Sequence, residues 1–242
     1  MQELIDQISN WIKEKIEKAD KKGAVLGLSG GLDSTITAFL CKKALGSNKV
    51  LGLIMPCYSQ PETLEDTKIA VEFLQIPIEH IDLSSAYNTF LSVLPEGNKI
   101  SYANLKVRLR MVALYYFANK LDYLVVGTGN KSECCVGYFT KYGDGAVDLL
   151  PVADIYKTEL VKLAEYINAP RAIIDKPPSA DLWEGQTDEK EMGITYKELD
   201  NTLKNLLENK KHASTAQEKL VERMIKNAAH KTAFPPIFKR KE

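Results

Sequence analysis

A short apolar run that ends in a glycine pair and leads straight into a helix leaves few choices of fold. Residues 23–29, Gly-Ala-Val-Leu-Gly-Leu-Ser, have the continuous hydrophobicity of a strand buried on both faces. Ser29-Gly30-Gly31-Leu32-Asp33-Ser34 follows, and the spacing predicts a helix over 34–45 stopped by Gly46. The alternation then repeats. Strands are expected at 50–55, 77–81 and 123–127. Helices are expected at 64–74 and at 104–119, the latter with Leu105, Leu109, Val112 and Tyr116 toward the core. Strands alternating with helices imply right-handed parallel β-α-β units, hence a three-layer α/β/α doubly wound sheet.

Around this frame, residues 3–18 place Leu4, Ile8, Trp11, Ile12 and Ile16 on one helical face, read as packing onto a single domain over 1–242. Residues 132–151 and 175–193 read as loops above the sheet, the second as a mobile lid. Two more helices are expected at 196–210 and 214–229, with the lysines of 203–211 on a solvated face. Lys+Arg and Asp+Glu both number 32, so no basic excess points to nucleic acid. Cys41, Cys57, Cys134 and Cys135 form no C-x-x-C pair, so neither disulfides nor structural zinc are expected and a reducing cytoplasm is. No apolar run approaches the ~20 residues of a membrane span, and the acid-containing N-terminus lacks a secretion signal.

The loop at 29–34 carries the chemistry. Two glycines let backbone approach a ligand, and the helix start offers free N–H groups to an anion. Ser29 and Ser34 add hydroxyls. Asp33 would repel phosphate alone but suits a Mg²⁺ that bridges to phosphates. The spacing matches neither a Walker loop nor the G-x-G-x-x-G fingerprint. A plain glycine turn with a capped helix is the simpler reading of Ser-Gly-Gly alone, and the six-residue string between strand and helix outweighs it. The string resembles the signature of the ATP pyrophosphatase (PP-loop) superfamily.

Further strings follow in order: Gly127-Thr128-Gly129-Asn130-Lys131-Ser132-Glu133 at the end of the fourth strand, Asn104 to Arg110, Gly137 to Asp148, Tyr156-Lys157-Thr158-Glu159, Lys176 to Leu182, and His230-Lys231. On a helix Asn104 and Arg108 share a face, as do Lys106 and Arg110, so one face can offer an amide and a guanidinium to a phosphorylated ligand; the simplest reading of any one of those cations is a solvated surface. For Glu133 alone, a helix N-terminal charge is the simpler reading. Together the strings, from about residue 23 to 231, resemble the ammonia-dependent NAD synthetases, with a Rossmann-like fold of the adenine nucleotide alpha-hydrolase type.

That resemblance implies ATP-dependent amidation of deamido-NAD with ammonia, through an adenylated intermediate, giving NAD, AMP and pyrophosphate. It assigns Gly27, Leu28, Ser29, Gly30, Gly31, Leu32, Asp33, Ser34, Thr128, Lys157 and Ser179 to ATP. It makes Asp33 and Glu133 the Mg²⁺ ligands and, with Lys157, the catalytic set. Asn104, Arg108, Lys141, Asp148, His230 and Lys231 fall to the dinucleotide, and a homodimer is implied. Cys134 and Cys135 are read as buried rather than nucleophilic, His80 and His212 as structural or surface residues, and no glutaminase domain is visible. Two rivals stay open: a tRNA-modifying pyrophosphatase, which would need a nucleic-acid surface or a cysteine pair, and a non-catalytic nucleotide-binding module, which would have little use for Asp33 and Glu133.

Overall fold

The computed structural model describes residues 1–240. Its strands are β1 (Gly23–Gly27), β2 (Val50–Ile54), β3 (Ile78–His80) and β4 (Tyr123–Val125). Its helices are α1 (Gln2–Lys18), α2 (Leu32–Leu45), α3 (Pro61–Leu74), α4 (Ser84–Val93), α5 (Lys99–Leu121), α6 (Lys131–Val136), α7 (Lys157–Tyr166), α8 (Arg171–Ile174), α9 (Asp188–Met192), α10 (Tyr196–Leu203) and α11 (Ala216–Thr232). All strand pairs are parallel, in the order β3-β2-β1-β4. The chain builds outward from β1 to β3 and then returns to place β4 on the other side of β1. The β1–β4 crevice is therefore the topological switch point, where ligands bind open α/β sheets.

Alternation along β1 explains the layers. Ala24 and Leu26 face one side and join the cluster that Ile5, Ile8, Ile12 and Ile16 of α1 share with α2, α3 and α7. Val25 faces the other side with Leu51, Leu53 and Val125, covered by Tyr87 of α4 and by Leu109 and Phe117 of α5. A third apolar cluster lies outside the sheet, where Val136, Tyr156, Tyr196, Leu199, Leu203 and Val221 pack α6, α10 and α11 together. Helical spacing gives the last two helices but not this separate core, because a periodic stripe does not say what it faces.

Several boundaries differ from expectation. α2 starts at Leu32, because Gly31 already adopts the extended N-cap geometry (φ −89°, ψ 167°). α5 begins at Lys99, where the Asn98 side chain accepts the Ser101 N–H. Residues 84–93, between the strand expected at 77–81 and the helix expected at 104–119, form a further helix, α4. In the N-terminal stripe Ile5 replaces Trp11, which is exposed. On α5 Val112 and Tyr116 face solvent (58% and 62% exposed) while Leu109, Phe117 and Ala118 face the sheet. The apolar stripe of α5 is wider than the sheet can cover, so the expected core face was read too broadly.

Candidate active site

The glycine turn is shaped by its own hydroxyls. Ser29 Oγ accepts the Gly31 N–H (3.3 Å) and lies 3.2 Å from Ser34 Oγ, which donates to the Gly31 carbonyl (3.1 Å). Gly30 has φ +71° and packs on the backbone of Asp66 and Thr67 in α3. No side chain caps α2, so its dipole and first N–H groups remain available to an anion.

Beside this turn, tertiary contacts bring distant acids together. Asn130, 97 positions from Asp33 in sequence, donates its Nδ2 to Asp33 Oδ1 (3.1 Å). The same Asn130 caps α6: its Oδ1 accepts the Glu133 N–H (3.0 Å), and Glu133 Oε2 accepts the Asn130 N–H (3.2 Å). Glu133 is thus the helix-end charge of the simpler reading and also a neighbour of Asp33. Its Oε1 accepts the Tyr196 hydroxyl (3.2 Å), and that hydroxyl also lies 3.0 Å from Asp188 Oδ2. Lys157, the first residue of α7 and 5% exposed, is ion-paired with Asp33.

Charge in this cluster is unbalanced. Burial, and then the Asp33 carboxylate, push Glu133 up to about 8. Burial likewise raises Asp188, against the pull of Lys157. Burial opposes the charge on Lys157, yet Asp33 and Glu133 more than offset it and hold its pKa above the ordinary lysine range. Buried carboxylates facing a single ammonium suit a hard divalent cation with oxygen ligands. No group of three or more His, Cys, Asp or Glu residues forms a metal cage among the described residues, so two acids would need ligand oxygens to complete the shell.

A cavity of about 540 Å³ opens next to the turn. Gly27, Leu28, Ser29, Gly31 and Ser34 line one end together with Thr128 and Ser179. Gly30, Leu32, Asp33, Glu133 and Lys157 sit outside that lining. Among the residues assigned to the dinucleotide, Asn104 and Lys231 line this cavity; Lys141 and Lys231 line a second, more open cavity of about 420 Å³. Arg108, Asp148 and His230 line neither. Arg108 Nη2 donates to the Lys141 carbonyl (3.3 Å), and the Lys141 ammonium donates to the His230 carbonyl. Asp148 accepts the Val125 N–H (2.7 Å) and the Tyr115 hydroxyl (3.2 Å). Lys231 donates to the carbonyls of Gly137 and Phe139 (2.7 and 2.8 Å). These groups tie the 137–148 segment to α5, β4 and α11, which a family string cannot reveal.

The cations of α5 depart from the solvated-face expectation. Arg110 lines the main cavity and donates to the Met55 carbonyl (3.2 Å), and burial pulls its pKa below the usual guanidinium value. Lys106 donates to the Leu182 carbonyl (3.1 Å). With Lys99 lying 4.0 Å over the Trp183 ring and the Gln60 N–H bonded to Asp181, it fastens the 181–186 segment along the cavity. Lys176, paired with Asp66 at 2.8 Å, and Asp144, which accepts the Thr140 N–H (2.7 Å), are further cavity residues that no single-residue argument picked out. The i, i+4 spacing of Lys106 and Arg110 was the available signal. Cys134 is partly buried, and burial pushes its thiol up to about 12, a poor nucleophile. His80 and His212 are exposed.

A glycine turn at the switch point of a doubly wound sheet, flanked by buried acids and opening on a roomy cavity, defines an α/β nucleotide-binding enzyme. The chain belongs to the NAD synthase family, whose pattern matches residues 4–241. It is 46% identical to the NH(3)-dependent NAD(+) synthetase of Archaeoglobus fulgidus, over 98% of this chain and 96% of that protein. It is 47% identical to the protein of the same description from Methanocaldococcus jannaschii, over the same shares. Among solved structures it resembles the NMN synthetase of Francisella tularensis (TM-score 0.88, 36% identity, 98% of each chain). It also resembles the NH3-dependent NAD synthetase of Campylobacter jejuni in complex with the nitrate ion (TM-score 0.85, 30% identity, 98% of each chain).

Proposed function

We propose that this enzyme makes NAD by amidating deamido-NAD with ammonia at the expense of ATP. The observation that carries the reading is the joining of Asp33 and Glu133, through Asn130, beside an uncapped helix start in the β1–β4 crevice. A carboxylate resists ammonia because its carbon is electron-rich and oxide cannot leave. The nicotinate carboxylate therefore attacks the α-phosphorus of ATP, the bond to the β-phosphate breaks, and pyrophosphate departs. Ammonia adds to the acyl-adenylate, loses a proton, and expels AMP.

Gly27 to Ser34, with Thr128 and Ser179, cradle the triphosphate. Asp33 and Glu133 are the residues that would hold Mg²⁺, which would supply positive charge to offset that of the departing pyrophosphate. Lys157 adds its ammonium there. Arg110 and Lys176 supply further positive charge along the same cavity. Asn104, Lys141 and Lys231 contact the dinucleotide, whose second half takes the open cavity beside Lys231, and Arg108, Asp148 and His230 support that site through the hydrogen bonds that hold its segments. The 181–186 segment keeps water from the adenylate.

Purified protein given deamido-NAD, ATP, Mg²⁺ and ammonium is expected to yield NAD and AMP in equal amounts. Release of ADP would contradict the reaction, and glutamine in place of ammonium should give no turnover. Because the Francisella relative is an NMN synthetase, deamido-NMN (nicotinate mononucleotide) belongs in the same assay. The dinucleotide is expected to show the higher kcat/KM, in line with the relatives described as NH(3)-dependent NAD(+) synthetases.

The enzyme works as a homodimer in the cytoplasm under this reading. No helix among the described residues is long and apolar enough to cross a membrane. Phe90, Val93 and Leu94 at the end of α4, and Val112 and Tyr116 of α5, are large apolar side chains left exposed, the kind interfaces cover. Sedimentation of the parent chain should give a dimer, and Val112→Asp/Tyr116→Asp a monomer. A parent chain that sediments as a monomer at micromolar concentration would remove the dimer from the proposal.

A further inference from the structure

We propose that Asp200 is a positioning residue that sets Glu133 and Lys157 for the metal end of the triphosphate. Asp200 belongs to α10, is 1% exposed, and lines neither cavity. Its Oδ1 accepts the hydroxyl of Ser132, the second residue of α6. Its Oδ2 accepts the N–H (2.9 Å) and hydroxyl (2.7 Å) of Thr158, the second residue of α7. Ser132 Oγ in turn accepts the Lys157 N–H (3.0 Å). One buried carboxylate thus pins the first turns of two helices. The residue after Ser132 is Glu133, and the residue before Thr158 is Lys157.

The chemistry requires a carboxylate there. Helix starts present N–H groups with no intrahelical partner and a positive dipole end, so one anion stabilises both. Burying that anion without an ion-paired cation is tolerable because donors fill both oxygens. An amide would turn an N–H₂ toward those donors. Packing alone does not call for the acid, since Leu199 and Leu203 of α10 are already fully buried in their own cluster. One turn earlier on the same helix, Tyr196 donates to Glu133 Oε1, so α10 holds the acid at a second point.

This inference rests on Asp33 and Glu133 binding the magnesium of ATP, and a calorimetric titration separates the two claims. ATP is titrated in excess EDTA and again in excess Mg²⁺, into the parent chain, Asp200→Asn and Ser132→Ala. The parent should bind Mg²⁺–ATP more tightly than metal-free ATP; equal affinities would sink the magnesium reading itself. Asp200→Asn should lose roughly tenfold in affinity for Mg²⁺–ATP, the usual scale for groups behind a metal ligand, with metal-free ATP binding within about twofold of the parent. Ser132→Ala should lose a smaller share with the same selectivity, and it decides the matter should the first variant not fold. Unchanged affinities, or equal losses with and without metal, overturn the role of Asp200.

Discussion

Asp33→Asn is expected to lower turnover by roughly 10³-fold, the scale of removing a preorganised charge at the reacting phosphate, while leaving the circular dichroism spectrum unchanged. Asparagine keeps the volume and a carbonyl oxygen to accept the Asn130 Nδ2 proton, so the local packing survives. What disappears is the negative charge paired with the Lys157 ammonium. Alanine is a harsher test, because it strips a buried lysine of its partner, and breaking a buried pair costs about 3–5 kcal/mol. Glu133 stays close enough to steady the ammonium in the asparagine variant. Initial AMP release with saturating deamido-NAD and ammonium is the measurement. Turnover within tenfold of the parent would remove Asp33 from the catalytic set.

Gly30→Ala should damage the protein through geometry alone. The residue has φ +71°, which costs a side-chain-bearing residue about 1–2 kcal/mol. A Cβ built there also falls 2.6 Å from Thr67 N and 2.7 Å from the Asp66 carbonyl carbon, both main-chain atoms of α3 that cannot swing aside. Overpacking of this kind adds about 1–3 kcal/mol. A total near 3 kcal/mol corresponds to a fall in Tm of roughly 6–12 °C for a chain of this size. Because relief would come from moving α3 off the turn, ATP binding should weaken as well. A Tm within 2 °C of the parent would mean that the turn is looser than these distances imply. Gly31→Ala is a natural control, since its nearest neighbour is the Ser29 hydroxyl at 3.2 Å and its φ is negative.

The two variants mark what could be read from sequence and what could not. Gly30 and Gly31 were legible as a turn opening a helix because Gly-Gly after an apolar run is a local signal. That a Cβ at position 30 meets α3 is not local: the contact spans more than thirty positions. Asp33 was legible as an odd acid in an anion site. The family resemblance set Glu133 and Lys157 beside it, but the bridging Asn130 and the direct contacts were not legible, since nothing local to those residues points to Asp33. On α5 the period was right and the covered face partly wrong, because Val112 and Tyr116 lie just beyond the width of the sheet. For Arg110 the shared face with Lys106 left a ligand-facing and a solvated reading both open, and only packing turns its side chain inward to the Met55 carbonyl.

By itself, then, the sequence determined the strand and helix alternation, the parallel wound sheet and the chemical character of the turn, all of which depend on residues a few positions apart. Tertiary structure alone decided that Asp33, Asn130, Glu133, Lys157 and Asp200 form one hydrogen-bonded unit, and that Arg108, Asp148 and His230 tie segments together outside the cavity linings. The physical reason is that backbone preference and hydrophobic periodicity act over one or two turns of chain. Hydrogen bonds between side chains form only after packing has fixed where those turns meet.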